Sequence, residues 1–242
     1  MTEQHRPRRA AHGVTTLLFD VLGTVVDVEG SIRALAGPLL LQAGVAAERI
    51  PRLLGRWQAH MGALIAAVRE GDRPWATYQQ LRRAALAAAV AEAELAPLAA
   101  PDLDAVAAVI RRSRPWPEAA GALRALGRSF RLVALSDGDF ALLVDLAAAG
   151  GLAWHGVLSG QFVRTYKPDP AVYRLALDLL AIAPARAMLV AAHPFDLRAA
   201  AAHGLATAYI ARPGAARPPA DDAFTLHAAD FTDLARQLRG AA

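Results

Sequence analysis

Thr15-Thr16-Leu17-Leu18-Phe19-Asp20-Val21-Leu22-Gly23-Thr24 is the stretch around which the rest of the sequence arranges itself. An apolar run of Leu and Phe meets a carboxylate at Asp20, and Gly23 follows three residues later. A strand buried on both faces of a parallel sheet reads this way where it runs out at the sheet's carboxyl edge. Open α/β sheets bind ligands outside those strand ends, which puts Asp20 at a ligand position. Gly23 lets the backbone turn sharply and come close to a bound group. A strand closed by an Asx turn gives the same letters, so the choice between chemistry and a turn falls to the later segments.

From about 29 to 113 the pattern is helical. Ile32, Leu35, Ala36, Leu39 and Leu40 form one apolar face at helical spacing, and Ile50, Leu53, Leu54, Trp57, Met61, Leu64, Ile65 and Val68 form a second. Gly71-Asp72-Arg73-Pro74 is a break. The spacing predicts a third helix over about 75–95 and a fourth over 102–112. Arg114-Pro115-Trp116-Pro117 reads as the return linker. Strands and helices then alternate. Strands end at Ser136-Asp137-Gly138 and at His193-Pro194-Phe195-Asp196, with a short one at 156–159 and another at 207–210. Tyr166-Lys167-Pro168-Asp169-Pro170 leads into a helix over about 170–182, with Asp169 as its N-cap and Pro170 at its first position. A last helix falls near 230–239. Such alternation gives an α/β fold, a Rossmann-like parallel sheet with helices on both faces. The expected organisation is a basic disordered tail over 1–13, a core domain over 14–28 and 114–242, and an inserted helical bundle over 29–113.

Composition narrows the function class. Of 242 residues, 55% are hydrophobic and 20% charged, enough apolar material for a full core. No apolar run reaches the roughly 18 residues of a membrane span. The polar, basic start lacks the apolar segment of a secretory signal. With no cysteine, disulfides and thiolate chemistry are excluded, which fits a cytoplasmic protein. Part of the +4 formal charge sits at Arg6, Arg8 and Arg9, yet no nucleic-acid module accompanies it. Of the 26 basic residues, Lys167 alone is a lysine. A chain that uses Arg for every generic cation and Lys once points to a position needing a compact ammonium.

Asp20, Ser136-Asp137, Lys167, and His193 with Asp196 thus all fall at or just after strand ends, and parallel strand ends gather along one edge. Each group has a structural explanation of its own, a turn, a satisfied loop histidine or a helix cap. Four in register favour a site.

At these residues the chain resembles the haloacid dehalogenase superfamily. Phe-Asp-x-x-Gly-Thr at 19–24, Leu-Ser-x-Gly at 135–138, Tyr-Lys-Pro-Asp-Pro at 166–170 and an acidic fourth motif at 193–196 follow its order and spacing, with a helical cap after the first motif. Within the superfamily it is most similar to the type II L-2-haloacid dehalogenases. That resemblance implies hydrolysis of short 2-haloalkanoic acids to 2-hydroxy acids through an aspartyl ester on Asp20, with substrate and water as the only partners. It implies that Thr24 and Ser136 orient Asp20 and the substrate carboxylate, that Lys167 orients the nucleophile, and that Tyr173 borders the site. Arg56, in Gly55-Arg56-Trp57, aligns with the arginine that receives the departing halide; an ordinary surface arginine reads the same way.

Superfamily phosphatases place a second Asp two positions after the nucleophile to protonate an alkoxide. Leu22 stands there and cannot transfer a proton, while a halide leaves without one. Phosphatases also hold Mg²⁺ with several carboxylates; here the fourth motif offers Asp196 beside Ala191, Ala192 and His193. The expectation is a site without metal or cofactor, Lys167 offsetting the charge of Asp20. Asp137 stands where the family usually has Asn, and Ala191, Ala192 and His193 replace two Ser and an Asn. In this reading His193 takes over as general base, with Asp196 helping to orient or polarise it. A phosphatase of the same fold and a member that binds without catalysis are the alternatives. The apolar faces of the cap could pair two subunits or close over the core.

Overall fold

A computed structural model describes residues 13–239, so the basic tail read over 1–13 lies, apart from Gly13, outside the described residues. β1 is Thr16–Phe19, buried along its whole length. Its side chains alternate between two layers, as the period of a strand requires. Leu17 and Phe19 enter a core shared with the helices α5 (Ala119–Leu126), α6 (Phe140–Gly150) and α9 (Phe231–Arg239). Leu18 enters the opposite core, with α7 (Pro170–Leu180) and α8 (Pro194–Ala202). A strand walled on both sides has no place for polar alternation, which is why it reads as a continuous apolar run.

The remaining strands of the sheet are β4 (Arg131–Ser136), β5 (Gly156–Ser159), β6 (Ala187–Ala191), β7 (Ala206–Ile210) and β8 (Leu226–Ala228). Their order is β5-β4-β1-β6-β7-β8, all parallel. The chain fills one side of β1 through β4 and β5, then the other through β6, β7 and β8. The order therefore reverses between β1 and β6, the place where open sheets leave a crevice. Phe19 is level with Ala134 of β4 and with Val190 of β6, so the residues that follow these strands emerge together.

The helical block comprises α1 (Val28–Gln42), α2 (Ile50–Glu70), α3 (Tyr78–Glu92) and α4 (Ala100–Ala107), the last continued as a 3₁₀ turn over Ala108–Arg112. The expected third helix is shorter at both ends. Thr77 and Gln80 form a capping box that starts α3 at Tyr78 and leaves Trp75 and Ala76 outside it. The four helices pack around Ile32, Leu40, Leu53, Trp57, Leu81 and Leu86. Two strands cross between block and sheet, β2 (Val26–Asp27) and β3 (Arg114–Pro115). They pair antiparallel, Val26 with Pro115 and Asp27 with Arg114, so the return linker is half of a two-stranded ribbon. Three elements carry no reading in the sequence: the two-residue β2, α5, half of whose eight residues are Ala, and β8, a three-residue edge strand after a Pro-rich loop. No described helix is long and apolar enough to cross a membrane.

Candidate active site

Asp20 is the first residue beyond β1, its amide held by the carbonyl of Val190 at 3.0 Å. Gly23 adopts φ +85°, a left-handed turn that a side chain would strain, and a Cβ there would meet the His193 ring at 3.1 Å. The turn swings Thr24 back under the nucleophile. Thr24 Oγ1 donates to Asp20 Oδ2 at 2.6 Å and accepts from the Ala192 amide at 2.9 Å, joining the ends of β1 and β6. Below it the Arg212 guanidinium, paired with Glu118 at 2.7 Å, donates from Nε to the Thr24 carbonyl at 2.9 Å.

Lys167 is buried between two carboxylates. Its Nζ donates to Asp20 Oδ1 at 3.2 Å and to Asp196 Oδ2 at 2.7 Å. Asp196 reaches this position from the first turn of α8, and its other oxygen accepts from the Tyr173 hydroxyl at 2.6 Å. His193, the N-cap residue of α8, places Nδ1 3.0 Å from Asp20 Oδ2. Burial alone would raise the Asp20 carboxyl, but Lys167, then His193 and Thr24, outweigh it and hold the group well below the usual carboxylate range. The Lys167 ammonium is likewise driven up: burial opposes its charge, and the surrounding Asp196, Asp20 and Asp137 overcome that.

The structure thus brings together Asp20, Thr24, Lys167, His193, Asp196 and Tyr173, with three corrections to the expected roles. Asp196 does not orient His193; it faces Lys167 and Tyr173, and the partner of His193 is Asp20 itself. Tyr173 is fully buried and touches the site only through Asp196, so it lines no substrate wall. Arg56 is not part of the cluster. It bonds the carboxylate and carbonyl of Glu92, at the last residue of α3, about 21 Å along that helix from Tyr78 at its first turn. Ser136 Oγ accepts from the Gly138 amide at 3.3 Å, and Leu22 packs beside Gly138, whose added Cβ would meet it at 3.3 Å.

Asp137 holds the backbone that carries the lysine, its Oδ1 accepting from the Lys167 amide at 2.8 Å. Burial pushes its carboxyl up to about 7, against the pull of the Lys167 charge and amide. An unfolded chain ionises the same group near pH ~4. Between those values the folded protein keeps a neutral acid where the unfolded chain has shed its proton, so stability falls as pH rises from about 4 to about 7 and then levels off. Asp137→Asn keeps the acceptor and removes the titration. Its melting temperature is expected to match the native one near pH 4 and to exceed it at pH 8; parallel curves across that range would show that Asp137 ionises freely.

Sequence reading missed the contacts that seat the helical block on the sheet. Asp139 occupies the N-cap position of α6 without capping it, and instead accepts from the Tyr78 and Gln79 amides, both at 2.8 Å, at the start of α3. A carboxylate at a helix N-terminus is stabilised by the unpaired amides and the dipole there. Tyr166 adds a bond from its hydroxyl to the Ala76 carbonyl at 2.7 Å. Within the block itself, Arg82 lies buried over the Trp57 ring at 4.3 Å, its Nε donating to the Ala107 carbonyl at 3.0 Å. The only signal for the Asp139 contacts was an acidic residue directly after the Ser-Asp-Gly turn.

Residues 14–204 match the model of a hydrolase family, the haloacid dehalogenase-like hydrolases. The chain is similar to the crystal structure of the L-2-haloacid dehalogenase PA0810, at 38% identity and a TM-score of 0.85, over 94% of this chain and 100% of that one. It is also similar to the defluorinating L-2-haloacid dehalogenase Rha0230, at 33% identity and a TM-score of 0.85, over 93% and 95%. Among curated proteins, haloacetate dehalogenase H-2 of Moraxella sp. (strain B) is 34% identical over 43% of this chain and 47% of its own. (S)-2-haloacid dehalogenase 1 of Pseudomonas sp. (strain CBS-3) is 35% identical over 40% and 44%. The matches to these two curated relatives span less than half of their length.

Proposed function

This chain belongs to the haloacid dehalogenase-like hydrolases, and from that premise we propose that it hydrolyses short 2-haloalkanoic acids to 2-hydroxy acids through an ester on Asp20. The observation that carries the reading is a carboxylate at the sheet's switch point, kept ionised by a buried ammonium, with Leu22 where a phosphatase needs an acid. The names of the relatives support dehalogenation over the phosphatase and binding-only readings. Asp20 Oδ2 already accepts from Thr24 and His193, whereas Oδ1 accepts from Lys167 alone. Oδ1 therefore keeps a free lone pair and attacks C2, expelling halide with inversion. Water then attacks the Asp20 carboxyl carbon, and His193 takes its proton. Asp196 and Tyr173 fix the ammonium, and Asp137 fixes the backbone behind it. Each step in this reading uses only side chains of the chain itself, Asp20 as nucleophile and His193 as base.

The block over 29–113 acts as a cap on the core of 14–28 and 114–242, latched by Asp139 and Tyr166. Excluding water while Oδ1 attacks protects the displacement. Pairing of two subunits through the cap, supported by the exposed Leu41 on α1, and a cytoplasmic setting, supported by the absence of cysteine, belong to the same reading. The test is halide release from (S)-2-chloropropionate and from haloacetates. Stoichiometric halide and (R)-lactate are expected, with no phosphate released from a phosphate ester in Mg²⁺. Phosphate without halide would overturn the proposal.

A further inference from the structure

His193 differs from the rest of the cluster in one respect. Its Nδ1 hydrogen-bonds the nucleophile directly, at 3.0 Å, while its side chain remains 35% exposed and so in exchange with solvent. Gly23 leaves just enough room for the ring to lie over the turn, and Phe195 packs on it at 5.8 Å between ring centroids. Three charged groups face it: Asp20 from the end of β1, Asp196 from its own helix and Lys167 from the loop before α7. Burial and Lys167 oppose a proton on the ring. The bond and charge of Asp20, joined by Asp196, favour one and prevail.

The difficulty is that a protonated imidazole cannot be a general base. We propose that His193 keeps its proton while Asp20 is a free carboxylate and surrenders it when Asp20 is alkylated, so that the nucleophile itself switches on the base for the second step. The inference rests on the dehalogenase reading above. In the first step the Asp20 Oδ1–C2 bond forms, the C2–halogen bond breaks and the halide takes the bonding pair. Asp20 becomes a neutral ester, and the Nδ1 proton passes to solvent. The substrate's own carboxylate persists in the ester, but it is borne on C2 and not on the atom that His193 bonds. Nδ1 then offers a lone pair beside the ester carbonyl. In the second step water adds to the Asp20 carboxyl carbon and its proton goes to Nδ1. Collapse of the adduct releases the 2-hydroxy acid, whose alkoxide takes that proton back. The carboxyl group so formed hands its own proton to Nδ1, restoring the resting pair. The one proton of the overall reaction therefore leaves with the halide, not with the hydroxy acid. A further consequence is that the resting imidazolium reduces the negative charge that an anionic substrate meets.

Asp20→Asn gives Asp20 the neutrality of the ester without chemistry. Imidazole NMR of the full chain, with His193 identified by the signal lost in His193→Gln, follows its titration among the seven histidines. The native midpoint is expected above the ordinary ~6.5, and the Asp20→Asn midpoint about one pH unit or more below the native one. Midpoints agreeing within about 0.2 would overturn the coupling. Rapid mixing of native enzyme with (S)-2-chloropropionate and a pH indicator reads the second arm. Proton and halide are expected in one phase in the native chain, and proton with lactate in His193→Gln. Proton release with lactate in the native chain would overturn the proposal. Complete absence of halide would instead overturn the dehalogenase reading, with the titration still deciding the coupling.

Discussion

Asp20→Asn is expected to lower halide release by at least about 10⁴-fold, because the amide cannot form the ester. The variant should remain folded. Thr24 keeps an acceptor, and Lys167 keeps its 2.7 Å bond to Asp196, which in turn keeps Tyr173. A neutral group at a buried position also sheds the desolvation cost that a carboxylate carries there. Thermal melting checks the fold, halide release checks the rate, and mass spectrometry of the peptide containing residue 20 checks the covalent step. The native peptide is expected to gain the mass of the alkanoate under rapid quench and the variant peptide to gain nothing. Turnover above about 1% of native, in protein verified to be free of deamidated chain, would remove the nucleophile from its role.

Lys167→Met should damage both stability and rate. Asp20 and Asp196 are both within 3.2 Å of one nitrogen, and removing it leaves two buried carboxylates facing each other. Breaking a buried ion pair from one side costs about 3–5 kcal/mol. The penalty has a direction in pH. Without the ammonium the carboxyl groups rise above their unfolded values near ~4, so the destabilisation is fully present at neutral pH and shrinks in acid as both become protonated in the folded state. The gap in melting temperature between native and variant is therefore expected to be largest near pH 8 and to narrow toward pH 4. Halide release at neutral pH should fall by about 10²-fold or more, because the nucleophile loses both its orienting bond and the charge that keeps it ionised. A gap independent of pH would mean that the ammonium contributes packing and not charge.

How much of this was legible in the sequence follows from which level of structure decides each feature. Asp20, Ser136, Asp137 and His193 were placed by strand ends alone: an apolar run that stops at a polar residue says where a buried strand emerges, and parallel pairing then gathers the ends. Lys167 stood out because a chain rich in arginine uses lysine once. The partner of His193 was not legible. His193 and Asp196 flank the start of α8, and whether Asp196 turns toward its neighbour or toward Lys167 and Tyr173 depends on how that helix lies against the rest of the core. Arg56 failed for a related reason. The resemblance suggests a halide site, but the Arg56 guanidinium meets Glu92, 36 residues on, a pairing that no local pattern encodes. The latch at Asp139 depends on a contact between residues 61 apart in sequence, which no local pattern encodes.

The single lysine has a practical consequence for handling the protein. Lys167 is only 3% exposed and both its carboxylate partners are buried, so the described surface offers no primary amine. Amine-directed dyes, crosslinkers and resin couplings should leave the folded chain essentially untouched between residues 13 and 239. Acylation of Lys167 by such a reagent would then report unfolding, or loosening of the whole layer around it, making stoichiometric labelling at that one position a gauge of the integrity of the catalytic centre.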